Sequence, residues 1–483
     1  MAKSIKKNLI YNTILNVLNV MFPLITAPYV ARVLLPENMG LYNFANTYAG
    51  YFALVAALGI PTYGVRAVAK CRDDKKALQD LFSEIFTINV ISSFFTSIIF
   101  IASIFIVGQL QENWLFFLIA GIVVYTKPFS IEWIYQGLEN FGFITIRSFI
   151  VKLLCVVSLF LFVHDVDDVL IYLLISVSAT ILNQVWNFIV LAKSGVRMSL
   201  KFKGLRKHMR PILLLFASAI AISIYAILDT LMLGFMTKYS EVAYYNNATH
   251  ISKAVLAIVT SLSIVAMPRL SYCMERQEWD KINLLIKKSM GIVSFLAIPI
   301  AFGMALVAPV FIPLFLGEAF EGAVVPLQIM AFVIVAIGFN NLTGVQVLIG
   351  LGYDKLFLYS VLSGAIFNFV LNSILIPKMG ASGAAFASVM AETLILFITV
   401  YFVYKKTKVK MSGGNDILKS LVGSLLLFPV AYLLGKCLQG WWYVLSFTIL
   451  GCCVYFVSQF VLKSYSMELL INILWSKIKK VNI

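Results

Sequence analysis

The chain has 483 residues, of which 61% are hydrophobic and 12% charged, with a net charge of +16 and a mean hydropathy of +0.93. A water-soluble globule needs about twice that charged fraction to cover its surface, so composition excludes one. The six cysteines are scattered without CxxC or Cys/His spacing, which argues against a disulfide framework or a metal site and for small apolar packing residues.

Apolar runs of roughly 20 residues, each long enough to cross a bilayer, recur along the whole chain. They predict an all-α integral membrane protein of about fourteen transmembrane helices with no soluble insert. The first run, 9–33, follows Lys3, Lys6 and Lys7 and reads as an uncleaved helix rather than a signal peptide. Along it Asn12, Asn16, Asn19 and Pro23 recur on one helical face. Such amides suit either a polar cavity or interhelical glue worth about 1 kcal/mol each. Arg32 closes that run, and 40–63 and 82–107 follow.

The fourth and fifth runs, 114–137 and 143–163, carry Lys127, Glu132, Glu139, Arg147 and Lys152. Glu132 and Arg147 lie at similar depth and predict an ion pair within this half of the chain. Lys127 and Lys152 have no evident carboxylate and are candidates to face an anion. After 169–191 comes the basic connection Lys193–Arg210, then the runs 212–236 and 242–268 around a turn near Thr237–Glu241. Asp229, His250 and Lys253 sit inside these two runs, where an ionisable group reads as functional by default. We expect Asp229 and Lys253 to pair, with His250 nearby. His164 and His208 read as loop residues without a signal. Polar groups of the later runs (Asn340, Asn341, Gln346, Asn368, Asn372, Glu392) read as structural glue. The tail Met467–Lys480 has apolar residues near helical spacing plus lysines and suits a membrane interface.

Lys and Arg concentrate before the first run and in Arg66–Lys76, Lys193–Arg210, Arg269–Lys288 and Lys405–Lys410, against Arg32, Lys238, Lys378 and Lys436 on the other side. This bias places both termini in the cytoplasm of a multi-pass membrane protein. It accounts for the net charge through membrane lipids, with no nucleic acid. Gly40-Leu41-Tyr42-Asn43-Phe44-Ala45 and Ala243-Tyr244-Tyr245-Asn246-Asn247-Ala248 open two similar hairpins. They predict two pseudo-symmetric six-helix lobes around a central cavity, residues 1–200 and 201–410. Two further helices and a basic tail, 411–483, are appended.

The stretches VARVLLPENMGLYNFANT (30–47), LGIPTYGVRAVAK (58–70), IEWIYQGLENFGFITIRS (131–148), LDTLMLGFMTKYSEVAYYNNATHISK (228–253), MPRLS (267–271) and GASGAAFASVMAE (380–392) carry a resemblance. In order and spacing the chain resembles bacterial polysaccharide-biosynthesis flippases of the O-antigen, Wzx-type family, within the superfamily that includes multidrug-and-toxin extruders. That resemblance implies transport, without enzymatic activity, of undecaprenyl-pyrophosphate-linked oligosaccharide units from the inner to the outer leaflet. It also implies contact with polysaccharide polymerase machinery. Asn12, Asn16, Asn19, Arg32, Lys127, Lys152, Asp229, His250 and Lys253 form the expected substrate cavity. No cofactor is expected, no GxxxxGK[ST] loop is present, and coupling to H⁺ or Na⁺ stays open. The alternative is a cation-coupled exporter of small molecules with the same fold. A membrane-embedded glycan polymerase or ligase would need catalytic groups on a substantial outer loop, and the outer loops are all short.

Overall fold

A computed structural model describes residues 5–472, and every regular element among them is helical. The chain divides into two compact units, Met1–Val242 and Ala243–Ile483. The first unit opens with α1 (Ile5–Ala57), α2 (Ile60–Cys71) and α3 (Lys75–Ile106). The short helices α4 (Gly108–Gln111), α5 (Trp114–Ala120), α6 (Ile122–Tyr125) and α7 (Glu132–Gly137) follow. The unit continues through α8 (Phe141–Phe162), α9 (Val169–Lys193) and α10 (Arg206–Met236). Helix α11 (Tyr239–Glu275) leads into the second unit, built from α12 (Trp279–Leu316), α13 (Val324–Met330), α14 (Val333–Asn340), α15 (Asp354–Lys406), α16 (Gly414–Leu425), α17 (Leu427–Cys437) and α18 (Gly440–Val461). Nine helices among the described residues are long and apolar enough to cross a membrane.

Two of those nine each cover two of the expected spans. Helix α1 breaks at Leu35 (φ 60°, ψ 169°), immediately before Pro36. A residue preceding proline is pushed out of the α region, and proline starts a helix well, so the Leu-Pro pair ends one span and opens the next. Helix α15 breaks at Gly380 (φ 53°, ψ −130°), three residues after Pro377. Glycine takes that conformation without a Cβ penalty. The predicted turn between 212–236 and 242–268 falls at Thr237 and Lys238, between α10 and α11.

Each of the two repeated motifs is used in the same way within its own unit. Tyr42 donates its hydroxyl to Ser176 on α9 at 3.0 Å. Tyr245 lies 3.0 Å from the Ser388 hydroxyl, on the part of α15 beyond Gly380. In the first unit Gly40 packs on the backbone of Tyr239; a Cβ there would fall 1.7 Å from the Tyr239 carbonyl oxygen. Small residues permit such close approach where helices must associate by packing alone. The approach is braced by Glu37, whose carboxylate accepts from the Ser240 N–H at 3.0 Å, and by Phe44 edge-on to Phe235 at 5.0 Å.

The tail prediction for Met467–Lys480 falls largely outside the described residues. Its start is held: Asp416 on α16 is buried and accepts from the Tyr465 N–H at 3.1 Å.

Candidate functional site

Asn12, Asn16 and Asn19 are exposed on α1. Pro23 has no N–H to give to the Asn19 carbonyl, so the helix is polar in its backbone as well as its side chains at this level. Helix α8 runs alongside. Thr145 donates to the Tyr11 carbonyl at 3.0 Å, and two turns on Lys152 donates to Asn19 Oδ1 at 2.6 Å and to the Leu18 carbonyl at 3.4 Å. The Lys152 ammonium also lies 5.7 Å from the Phe22 ring centroid, within cation–π range. Lysine and asparagine therefore form one polar surface in which the ammonium is held by neutral acceptors.

Arg147, earlier on α8, behaves differently. Its side chain is 2% exposed and donates to Glu132 at 3.0 Å and to Asn187. The Phe143 ring lies 5.7 Å from the guanidinium. The expected ion pair is present, and it consumes the arginine; Glu132, 39% exposed, shows its outer edge. Glu139 pairs with Arg72 at 2.9 Å, both about half exposed, an arrangement worth little energetically. Lys127 opens the single-turn helix Lys127–Phe129 and is half-buried, and its side chain makes no hydrogen bond or salt bridge among the described residues.

Arg32 stands apart. At about 1.5 Å per residue it lies about 20 Å from Asn19 along α1. It lines a separate cleft of about 630 Å³ with Tyr29, His164 and Asp165. Asp229 is 7% exposed on α10 in the first unit, while His250 and Lys253 are exposed on α11 in the second. The first unit thus gathers the amide stripe with Lys152 and leaves Arg32 in a different place.

His208, expected in a loop without a signal, is in the first turn of α10 and almost wholly buried. Its Nε2 lies 2.8 Å from the Glu84 carboxylate and its Nδ1 lies 2.6 Å from the Tyr63 hydroxyl. Glu84, buried on α3, also meets Lys207 at 2.7 Å and Lys201 at 3.4 Å. Lys201 is 3.0 Å from Asp80 as well; the Asp80 carboxylate accepting from it raises the amine above the usual lysine range. The readable signal is Glu84, a carboxylate at the edge of an apolar run. The second unit contains an apolar cavity of about 490 Å³ between α11, α12, α17 and α18, lined by Val255, Phe295, Pro299, Met304, Phe447 and Tyr455 among others.

Residues 5–274, more than half of the chain, match the family described as polysaccharide biosynthesis protein. The chain belongs to that family. It is similar to the "Putative O-antigen transporter" of Escherichia coli strain K12, 24% identical over 407 residues that cover 83% of this chain and 97% of that protein. Its fold is similar to that of "Lipid II flippase MurJ, inward closed conformation", with a TM-score of 0.75 at 15% identity over 94% of this chain and 98% of that one. An inward-facing multidrug resistance MATE family transporter of the MOP superfamily aligns with a TM-score of 0.62 at 14% identity over 80% of this chain and 93% of that one. This member of the polysaccharide biosynthesis family therefore has a MurJ- and MATE-like membrane transporter fold. The family match takes in the amide stripe, Lys127, Lys152, Asp229, His250 and Lys253.

Proposed function

We propose that the protein moves undecaprenyl-pyrophosphate-linked oligosaccharide repeat units from the inner to the outer leaflet of the bacterial inner membrane, by alternating access, for surface polysaccharide assembly. The observation that carries the reading is Lys152 held against Asn19 by neutral acceptors. An ammonium without a carboxylate partner among the described residues suits the pyrophosphate, and the exposed amides beside it suit sugar hydroxyls. The apolar cavity of the second unit offers surface for a long hydrocarbon tail. The names of the E. coli relative and of the MurJ structure point the same way.

In this reading both termini are cytoplasmic, residues 1–200 and 201–410 act as the two lobes, and 411–483 is the appendage. The like use of Tyr42 and Tyr245 within the two units supports the lobe division. The cargo's next consumer is the polymerase machinery on the outer face. Lys127, Asp229, His250 and Lys253 are the remaining charges of the proposed cavity, and Arg32 is a separate outer contact.

The test is the distribution of lipid-linked intermediates after deletion of the gene. Accumulation of undecaprenyl-linked repeat units on the inner leaflet, reversed by the wild-type gene, is expected. Unchanged intermediates with altered drug sensitivity would instead establish the small-molecule exporter.

A further inference from the structure

Helix α3 shows an abrupt change along one face. Gln79, Ser83 and Thr87 stand at i, i+4 and i+8, and the same stripe continues through Ile91, Phe94, Phe95 and Ile98. The apolar half is exposed, as a lipid-facing surface should be, with Phe94 and Phe95 each at least 60% exposed. The polar half is covered: every residue from Phe82 to Asn89 is buried. The cover is the connection between α9 and α10. Gln79 grips Arg197 twice, donating to its carbonyl at 2.5 Å and accepting from its N–H at 2.6 Å. The Ser83 and Ser199 hydroxyls meet at 2.8 Å, and the Lys201 N–H donates to Thr87 at 2.8 Å.

Residues 197, 199 and 201 of this strap meet every fourth residue of α3, which is the spacing of extended chain with alternating side chains. Ser199 and Lys201 turn to α3, and Lys201 ends on Asp80 and Glu84. Met198, Leu200 and Phe202 are left 54%, 55% and 67% exposed. They present exposed apolar side chains where the strap covers the polar half of α3. Arg197, Lys203, Arg206 and Arg210 surround them, exposed and without an ion pair among the described residues.

We propose that this strap is a lipid-binding surface: Met198, Leu200 and Phe202 enter the acyl region of the adjoining leaflet, and Arg197, Lys203, Arg206 and Arg210 hold the phosphate groups of anionic phospholipid. The apolar triad supplies burial and the cations supply headgroup preference, the two-part logic of interfacial anchors. Fixing the strap fixes the start of α10, since His208 and Lys207 share Glu84 with Lys201. Calling this leaflet the inner one rests on the orientation proposed above; the surface itself does not, and neither does its test.

The full chain, with its natural cysteines replaced, is reconstituted in vesicles, and nitroxide labels are placed singly at Leu200, Phe202 and Lys203. Labels at Leu200 and Phe202 should collide more with oxygen than with a water-soluble nickel chelate, and the label at Lys203 the reverse. Chelate-dominated collisions at Leu200 and Phe202, or protection from both reagents, would overturn insertion, the latter marking a protein-covered surface. A fluorophore at Phe202→Cys is then quenched with nitroxide-bearing phosphatidylglycerol or phosphatidylcholine at equal mole fraction. Phosphatidylglycerol should quench more, and Lys203→Gln, Arg206→Gln and Arg210→Gln should each erode that preference by up to about fivefold. Equal quenching by the two lipids with Lys203, Arg206 and Arg210 all intact overturns the headgroup assignment.

Discussion

Gly40→Ala tests whether the junction of α1 with the α10–α11 turn opens during transport. The added Cβ would sit 1.7 Å from the Tyr239 oxygen and 2.3 Å from its carbonyl carbon. Both obstacles are backbone, so no side chain can swing away, and the segments must part by roughly 1.5 Å to restore ordinary contact. That movement also strains the Glu37–Ser240 hydrogen bond of 3.0 Å and the Phe44–Phe235 packing. Overpacking alone costs about 2 kcal/mol, or ~30-fold in an equilibrium between contact made and contact broken. The penalty falls only on the state in which the contact is made, so alternating access predicts a population shift with little loss of folded protein. Asn38 donates to the Val166 carbonyl at 2.7 Å and ties the α8–α9 loop to α1. Spin labels at Asp167 and Lys238 therefore report the separation by double electron–electron resonance. A longer-distance population should grow, and polysaccharide export should fall at normal abundance. An unchanged distance distribution with unchanged export would refute the reasoning.

Lys152→Gln should reduce export at least tenfold while abundance and thermal stability stay near wild type, and Asn19→Ala should cost less because the cation remains; parallel loss of folded protein in both would mark the pair as packing. Glu84→Gln leaves Lys201, Lys207 and His208 facing a neutral group, and should destabilise the protein by about 3 kcal/mol, seen as a lower midpoint in thermal unfolding of the detergent-solubilised chain. Lys203→Cys should react with an impermeant maleimide only after the cells are opened; labelling of intact cells would reverse the proposed orientation. Asp229→Asn should lower stability and be rescued by also neutralising Lys253 if the two form a static bridge, whereas a stable protein that binds cargo and transports poorly, without rescue, would make Asp229 a moving part of the cycle.

How much of the molecule is legible in the sequence follows from the range over which each signal acts. Hydropathy and proline placement are local, so the apolar runs, the Leu35–Pro36 break and the Thr237–Lys238 turn can be read from neighbouring residues alone. The stripe of Asn12, Asn16 and Asn19 is equally plain, because a helical face is fixed by spacing. The pairing of Lys152 with Asn19 spans 133 residues and that of His208 with Glu84 spans 124, and periodicity carries no information at that distance. Depth is also an incomplete coordinate. Sequence proximity groups Arg32 with the first-span amides, yet a helix converts that proximity into about 20 Å of axial separation.

The strap shows a subtler limit. Between α9 and α10 the sequence reads as a basic loop whose charge reports orientation alone. The alternation Met198, Leu200, Phe202 against Ser199, Lys201 has the period of an extended segment, but such a short run gains meaning only from a partner that supplies donors and acceptors at matching spacing. Gln79, Ser83 and Thr87 are that partner, and they are polar residues on the face of α3 that further along is exposed and apolar. A polar stripe on a membrane helix needs something to satisfy it. Here the chain itself does so, and the covering segment carries outward the apolar surface that the helix could not offer.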